Sequence, residues 1–223
     1  MGVFGGWMDG QAVFVAIVIV GAGALGRETL AALWAAGQKV AGFLVEPGHA
    51  ASPVHGVVVR DDPGAWITEA ETRFVVAIGD GRARSRLVGQ LGRVRYATVV
   101  HPAATLGPNV RLAEGVIILG PASLTVDVEL GSHVLVNPGC TLAHDCVVGA
   151  FANFGPSVSL AGGVVVEEGA NLGVGAVVAP GCRIGAWAVV GAGAVVIRDV
   201  QPGSTVVGVP ARPLGKHGRP SPD

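Results

Sequence analysis

Large apolar residues recur at every sixth position over nearly half of the chain. The series begins at Leu106, ends at Val196 and has sixteen members. A second, smaller class of apolar residue stands four positions after each member, from Val110 to Val200. Neither the helical period nor strict strand alternation produces this spacing. Because each unit offers one large and one small inward position and then turns a corner, the repeat predicts a parallel β-helix with three units per coil.

The composition agrees with many short strands and turns. The chain has 36 glycines and 14 prolines among 223 residues, and half of its residues are apolar. These values exclude a disordered chain and fit poorly with long helices. Lys plus Arg number 15 against 16 for Asp plus Glu, so no overall field would attract nucleic acid or an anionic membrane. The longest apolar run, 12–26, is shorter than a spanning helix needs and follows no basic residue, so we expect neither a membrane span nor a secretory signal.

The cysteines all occupy the small inward position of the repeat. They are Cys140, Cys146 and Cys182. An odd number without a CxxC pair favours neither a disulfide framework nor a zinc knuckle. We interpret them as small core residues of a protein in the reducing cytoplasm.

The first hundred residues follow a different pattern, in which strand-like and helical segments alternate. The predicted strands are 12–20, 39–45, 74–78 and 95–100, and the predicted helices are 27–36 and 82–91. This alternation is typical of a small parallel α/β sheet. The fold class predicted for the whole chain is therefore α/β plus all-β, with a Rossmann-like domain over 12–100 followed by a β-helix over 101–214.

A glycine-rich turn joins the first predicted strand to the first helix. Gly21, Gly23 and Gly26 satisfy GxGxxG, a spacing that presents main-chain N–H groups to a pyrophosphate. Glu46 lies 20 residues beyond Gly26, where a dinucleotide fold places a ribose-binding acid. NAD, a nucleotide-activated sugar, or close helix packing alone would each account for the turn. The domain is short for a full NAD-binding sheet, which weighs against the first.

Three segments carry a resemblance to known proteins. The segment GAGAVVIRDVQPGSTVVGVPARPL, 191–214, resembles the left-handed β-helix acyltransferases of the hexapeptide family. With the GAGALG turn at 21–26 and HPAA at 101–104, the chain resembles the sugar acetyltransferases that include sialic acid O-acetyltransferase and the UDP-4-amino-sugar N-acetyltransferases. This resemblance implies a homotrimer that binds acetyl-CoA in a groove between adjacent prisms and a nucleotide-sugar in the glycine-rich domain.

The resemblance also implies a catalytic histidine. The segment NPGCTLAHDC, 137–146, is similar to the family segment that carries a general base and its acidic neighbour, which here are His144 and Asp145. A neutral imidazole is suited to removing a proton near pH 7, and a carboxylate can orient it. Because adjacent residues of a strand point apart, this pairing requires a corner or a second subunit. His133, the other histidine inside the repeat, has no such match, and we interpret it as a surface residue.

Further site residues follow from the resemblance. The donor site would include Asn153, Gly162, Gly173, Ala176 and Ala194, and the acceptor site would include Gly21, Gly23, Ala24, Gly26 and Glu46. Arg183, Arg198, Arg212 and Lys216 are candidate phosphate contacts. The chain departs from the family pattern in two places. Asn153 replaces a second histidine, and Val45 with Glu46 replaces a pair of acids, which leaves the nucleotide base open. No metal is expected, because two histidines at this spacing do not supply the three ligands of a zinc site.

The predicted function is direct acetyl transfer from acetyl-CoA to the amine of a nucleotide-linked amino sugar, or to a related sugar. No cysteine or serine is placed as a covalent nucleophile. The alternative is a non-catalytic β-helix subunit that senses a nucleotide-sugar or organises a complex. A scaffold would need neither the His144–Asp145 pair nor acetyl-CoA binding, so these two features discriminate between the two hypotheses.

Overall fold

The computed structural model describes residues 7–8, 11–12, 16–48, 52–67 and 71–214. Part of the predicted first strand, 13–15, and the candidate phosphate contact Lys216 lie outside the described residues. Strands β1 (Trp7–Met8) and β2 (Gln11–Ala12) form a short antiparallel pair.

A five-stranded parallel sheet forms the N-terminal part of the molecule. Its elements in chain order are β3 (Ile17–Val20), α1 (Ala24–Ala35), β4 (Val40–Leu44), β5 (Val59–Arg60), α2 (Gly64–Ile67), β6 (Arg73–Val76), α3 (Gly81–Leu91) and β7 (Arg95–Tyr96). The strand order is β5-β4-β3-β6-β7, so the order reverses at β3 as in Rossmann-like sheets. This arrangement confirms the predicted fold class; β5 and α2 were not predicted.

Local sequence explains these elements. The β-branched run of β3 is buried along its whole length, as expected of a central parallel strand. Helix α1 begins directly after Gly23, three residues earlier than predicted, and Gly37 follows its end with a left-handed φ of 68°. The carboxylate of Asp80 caps α3 by accepting a hydrogen bond from the Ala83 N–H at 2.7 Å.

The remainder of the described chain coils into a prism of two-residue strands. In chain order they are β8 (Val99–Val100), β9 (Thr105–Leu106), β10 (Arg111–Leu112), β11 (Ile117–Ile118), β12 (Ser123–Leu124), β13 (Glu129–Leu130), β14 (Leu135–Val136), β15 (Thr141–Leu142), β16 (Val147–Val148), β17 (Asn153–Phe154), β18 (Ser159–Leu160), β19 (Val165–Val166), β20 (Asn171–Leu172), β21 (Val177–Val178), β22 (Arg183–Ile184), β23 (Val189–Val190) and β24 (Val195–Val196), followed by β25 (Thr205–Val207) and β26 (Arg212–Pro213).

The prism has three faces, and each is one sheet. The first face runs β8-β11-β14-β17-β20-β23-β25-β26, the second β9-β12-β15-β18-β21-β24 and the third β10-β13-β16-β19-β22. Parallel neighbours among β8 to β24 pair 18 residues apart, as Ser123 does with Thr141, so three six-residue units make one coil as predicted. The predicted inward positions form one core, and the deviation is at the open first coil, where Leu106 remains 38% exposed.

Residues with left-handed backbone dihedrals mark all three corners, and two of these corners carry a histidine. Between the second and third faces lie Asn109, Asp127, Asp145, Gly163 and Gly181, which we call the His144 corner because His144 precedes Asp145. Between the third and first faces lie Gly115, His133, Phe151, Gly169 and Trp187, which we call the His133 corner. Each row repeats every 18 residues, so the corners stack from coil to coil.

The N-terminal sheet and the prism share an apolar interface. Helix α1 lies between them, and a buried cluster joins Leu30 and Leu33 of α1 to Ile117 and Leu135 on the outer side of the first face. The predicted strand 95–100 is divided here, because β7 ends in the N-terminal sheet while β8 pairs with β11 in the prism. None of the helices in the described ranges is long and apolar enough to cross a membrane.

Candidate active site

His144 and Asp145 form a hydrogen-bonded pair on the surface of the prism. The Nδ1 atom of His144 lies 2.7 Å from Oδ2 of Asp145, and both side chains are more than 60% exposed. The Nε2 atom makes no hydrogen bond within the described part of the chain. With Nδ1 protonated toward the carboxylate, Nε2 is therefore available to accept a proton from solvent or a ligand.

The corner explains how two consecutive residues face each other. Asp145 has a φ of 61°, in the left-handed region, which Asp tolerates better than most residues. This dihedral rotates the carboxylate back toward the preceding imidazole, whereas an extended backbone would separate the two side chains. The pairing therefore forms within a single chain.

Gly162, on the next coil, leaves room for the imidazole. A Cβ atom built on Gly162 would overlap Cε1 and Nε2 of His144. The neighbouring Gly163 donates its N–H to the His144 carbonyl at 2.8 Å and fixes the main chain of that residue. Gly162 was predicted to contact the donor, and the structure places it against the ring of His144.

The other predicted donor residues lie on the first face and inside the core. Asn153 donates from Nδ2 to Oδ1 of Asn171 at 2.9 Å, and its own Oδ1 is buried without a partner. Ala176 and Ala194 are fully buried in the prism core, main chain included, so a ligand on the surface would lie over them without touching either residue. A Cβ on Gly173 would lie 2.6 Å from the Ala192 nitrogen, which makes this glycine a requirement of coil stacking.

A cavity of about 460 Å³ lies at the carboxyl ends of β3 and β4, where the strand order of the N-terminal sheet reverses. The glycine-rich turn forms one side of it through Gly21 and Gly23, and Glu46 stands at the end of β4. Helix α3 forms the opposite wall, to which it contributes the positively charged side chain of Arg86. Sequence reasoning missed Arg86, although its place in the helix after the strand next to β3 is a signal for a ligand contact.

The glycines of the turn have different structural roles. Gly21 has a φ of 102° and donates its N–H to Leu44 O at 2.8 Å. A Cβ on Gly26 would overlap the Gly21 carbonyl, so Gly26 serves the close approach of α1 to the turn. Gly23 and Ala24 are exposed at the start of α1, where no side chain caps the helix. Main-chain N–H groups are therefore free to meet a negatively charged ligand.

The interpretation of His133 as a surface residue is wrong. Its side chain is 2% exposed, stacked on Phe151 at 5.2 Å between centroids and edge-on to Tyr96 at 4.6 Å. Burial, with a smaller contribution from the nearby Arg84 guanidinium, lowers the pKa of His133 to about 4, so it is neutral at physiological pH. The repeat placed this residue outside the prism correctly, but the N-terminal domain covers it.

The cysteines are core residues, as predicted. Cys140, Cys146 and Cys182 are free and buried, and burial raises the pKa of each thiol. In the part of the chain that the structure describes, no three His, Cys, Asp or Glu residues come together as a metal site.

The fold and the site define a class: a β-helix enzyme with a surface histidine–carboxylate pair and a separate cavity in a Rossmann-like domain. A protein-family model described as the PglD N-terminal domain matches residues 16–91. Perosamine N-acetyltransferase from Caulobacter crescentus, solved with CoA and GDP-perosamine, is 37% identical with a TM-score of 0.86, over 90% of this chain and 97% of that chain.

Two further solved structures are similar over nearly the same range. The acetyltransferase domain of PglB from Neisseria gonorrhoeae, solved with acetyl coenzyme A, is 26% identical with a TM-score of 0.83 over 90% of this chain and 99% of that chain. WeeI from Acinetobacter baumannii is 29% identical with a TM-score of 0.81 over 89% and 99%. The comparison with curated proteins finds no match. The chain belongs to the left-handed β-helix acetyltransferases that act on nucleotide amino sugars, and it is an acetyltransferase.

Proposed function

We propose that the chain transfers the acetyl group of acetyl-CoA to the amine of a nucleotide-linked amino sugar, with His144 as the general base and Asp145 as the residue that orients it. The observation that carries this proposal is the 2.7 Å contact between Nδ1 of His144 and Asp145, which leaves Nε2 open on an exposed corner. In support, two solved structures of the perosamine N-acetyltransferase with CoA and GDP-perosamine carry a replacement of one histidine, by asparagine and by alanine.

The reaction moves one proton from the attacking amine to the departing CoA sulfur. Nε2 of neutral His144 accepts a proton from the attacking amine as the nitrogen forms a bond to the thioester carbonyl carbon. The Asp145 carboxylate stabilises the imidazolium that results. The carbon–sulfur bond then breaks, and the CoA sulfur leaves as a thiol after taking up the proton. The products are an N-acetylated sugar and free CoA, and no covalent enzyme intermediate forms.

The acceptor is proposed to bind in the N-terminal cavity. Its pyrophosphate would lie against Gly21, Gly23 and Ala24 at the start of α1, and Glu46 and Arg86 would contact the remainder of the nucleotide. Gly26 supports this site by allowing α1 to approach the turn. Asn153, Gly162 and Gly173 would border the donor, with Ala176 and Ala194 in the core beneath it.

We infer that the site is completed in a cytoplasmic homotrimer. The N-terminal domain lies on the first face of the prism, whereas the His144 corner joins the second and third faces. A second copy would bring its own cavity to this corner. Exposed apolar residues on the prism, among them Val147, Val174 and Val177, support an interface between copies. Light scattering of the purified protein should give three chains per particle, and a monomer would contradict the assembly.

The decisive experiment measures acetyl transfer with matched variants. Purified protein is incubated with acetyl-CoA and a panel of GDP-, UDP- and dTDP-linked amino sugars plus sialic acid, and free thiol and product mass are followed. We expect one acceptor to gain an acetyl group, and His144→Ala to reduce kcat by about 1000-fold with little change in the KM for acetyl-CoA. Near wild-type turnover in His144→Ala would overturn the assignment of the base. Absence of acetyl-CoA binding would favour the scaffold alternative.

A further inference from the structure

A buried arginine connects the wall of the nucleotide cavity to the prism. Arg84 lies in α3, and its side chain is among the largest fully buried ones, with 1% of the residue exposed. Burial lowers the pKa of its guanidinium to about 10, so it remains charged at physiological pH. Burying a charge is costly unless hydrogen bonds replace the lost water. A leucine or methionine would fill the same space without that cost, so the guanidinium must serve another requirement.

The hydrogen bonds of Arg84 reach two separate parts of the fold. Nη1 donates to the carbonyls of Ile78 at 2.6 Å and Gly79 at 3.2 Å, in the loop between β6 and α3. Nε donates to the His133 carbonyl at 2.9 Å. Nη2 donates to the carbonyls of Phe151 at 2.9 Å and Ala152 at 3.3 Å. The planar guanidinium of one side chain therefore binds both the loop after β6 and two successive coils of the His133 corner. We call this set of Arg84 hydrogen bonds the joint.

The contacts around Arg84 leave little freedom at this corner. A Cβ on Gly81, the first residue of α3, would lie 2.9 Å from the Phe151 carbonyl, so the helix meets the prism main chain directly. Arg82 stacks over the ring of Trp187 at 4.4 Å from its centroid. Together with the stacked rings of His133 and Phe151, these contacts hold the start of α3 against three coils.

The same helix and loop build the cavity. Ile78, whose carbonyl Arg84 binds, lines the cavity, as do Ala83 and Arg86 on either side of Arg84 in the chain. A displacement of α3 relative to the prism would therefore move the cavity wall by the same amount. Because transfer requires the sugar amine to meet a thioester held by the prism, such a displacement would reduce the rate even where both ligands still bind.

We propose that Arg84 is a positioning residue for acetyl transfer, because it fixes the nucleotide-sugar cavity relative to its own prism and so, in the homotrimer, relative to the prisms that hold His144 and the donor. This inference rests on the proposed function. In that function Arg84 contacts neither the donor nor the acceptor, so its contribution lies in kcat and not in the affinity for either substrate.

The test compares Arg84→Lys and Arg84→Met with the surface control Arg93→Met. A misplacement on the order of 1 Å can cost about 100-fold in rate, so we expect kcat to fall by about 100-fold in Arg84→Met and about 10-fold in Arg84→Lys. Calorimetric Kd values for the acceptor nucleotide and for CoA should stay within about threefold of wild type. Arg93 is exposed and outside the corner, so its variant should retain wild-type kinetics.

A purely structural role gives a different result. In that case kcat per folded molecule is unchanged, and activity falls only with the folded fraction that thermal unfolding and active-site titration report. A rise in either Kd that accounts for the lost rate would also overturn the inference. Should Arg84→Met not fold, Arg84→Lys retains the charge and supplies the same measurement.

Hydrogen exchange separates failure of the inference from failure of the proposed function. In Arg84→Met, amides of 81–84, 131–133 and 149–153 should exchange faster, while those of β3 and of the His144 corner should not change. If the wild-type protein acetylates no acceptor, the proposed function fails. Unchanged hydrogen exchange at these segments in Arg84→Met would, independently of activity, overturn the proposed role of Arg84. If the wild type is active and the Arg84 variants are equally active, the inference fails and the proposed function stands.

Discussion

Two corners of the prism carry a histidine on the same six-residue repeat, His133 at the left-handed position and His144 one residue before it, yet the environments of the two rings are opposite. At the His144 corner the imidazole is exposed and hydrogen-bonded to Asp145, and it lies against Gly162 of the next coil, where a side chain would overlap it. At the His133 corner the imidazole is buried between Tyr96 and Phe151. The β-helix supplies similar corners, and the N-terminal domain covers the His133 corner and leaves the His144 corner open.

This difference assigns different work to the two rings. Exposure with a carboxylate partner gives an imidazole that can exchange protons. Enclosure by aromatic rings gives one that stays neutral and stacks, while its carbonyl binds Arg84. The proposed catalytic group and the proposed contact of Arg84 thus lie at corners of the same repeat, one outside the domain interface and one inside it.

Among the further changes that compare the two corners, the largest effect is expected at the His144 corner, in Asp145→Asn. Asparagine tolerates the left-handed backbone, so the change removes only the carboxylate charge and its orientation of His144. We expect kcat to fall by about 100-fold at saturating substrates. The matched control is Asp127→Asn, one coil earlier in the same corner, where the carboxylate accepts from Asn109 at 2.9 Å. If both variants lose the same activity, the field of the corner matters and the His144–Asp145 contact does not.

Burial of His133 should make the free energy of unfolding depend on pH. His133 is neutral in the folded state because its pKa is about 4, whereas the unfolded chain takes up a proton below about 6.5. The unfolded state therefore binds more protons, and stability falls as the pH decreases through this window. Between about pH 7.5 and about pH 5 the free energy of unfolding should fall by about 2 kcal/mol from this residue.

Denaturant titrations of His133→Phe check that prediction. Phenylalanine keeps the stacking on Phe151 and does not titrate, so the decline with pH should be smaller by the same amount. His55→Asn, at an exposed histidine with left-handed dihedrals, is the control and should leave the decline unchanged. An identical pH profile in wild type and His133→Phe would mean that the buried ring does not resist protonation.

A smaller effect is expected where the open corner is made slightly more crowded. Gly162→Ala places a methyl group in the space of the His144 ring, and because the ring is exposed it can turn away without unfolding the coil. We expect kcat to fall by about 10-fold with an unchanged melting temperature. Gly89→Ala, in α3 with no atom near its Cβ position, is the control and should retain full activity. Full activity in Gly162→Ala would show that the ring position is not critical.

The smallest effect compares backbone strain at the two corners. Gly163 and Gly169 have φ values of 67° and 64°, so alanine is strained at either position. A Cβ at Gly163 meets nothing within 4 Å, whereas one at Gly169 overlaps the Trp187 ring. Gly169→Ala should therefore destabilise the protein by about 1 kcal/mol more than Gly163→Ala. Equal losses in chemical denaturation would show that Trp187 moves freely and that the His133 corner is not tightly packed.

The sequence predicted the prism well because each six-residue unit repeats the same requirement. An inward residue that was polar would be buried without a partner, so apolar residues mark nearly every inward position. The left-handed corner at Asp145 was not visible in the pattern, since Asp, His, Phe and Gly all occupy such positions here. The pairing of His144 with Asp145 therefore came from resemblance, and its geometry from the structure.

The joint between the two parts could not be predicted for a different reason. Arg84 lies among other arginines of α3, and a charged residue in a short helix is usually solvent-exposed. Its burial depends on how α1 and α3 pack on the prism, which is a tertiary arrangement with no local signal. The same arrangement explains the error at His133 and the division of the predicted strand 95–100 into β7 and β8.

The 18-residue coil also limits how a gene for this protein can change in length. An insertion of a whole coil after the last contacts of the N-terminal domain would extend the prism and leave both corners intact. His133 and His144 are separated by less than one coil. A coil inserted between them would therefore increase the distance between the Arg84 contact and the His144–Asp145 pair. We therefore expect natural length variation to fall toward the carboxyl end of the prism, with the two histidines inherited as one segment.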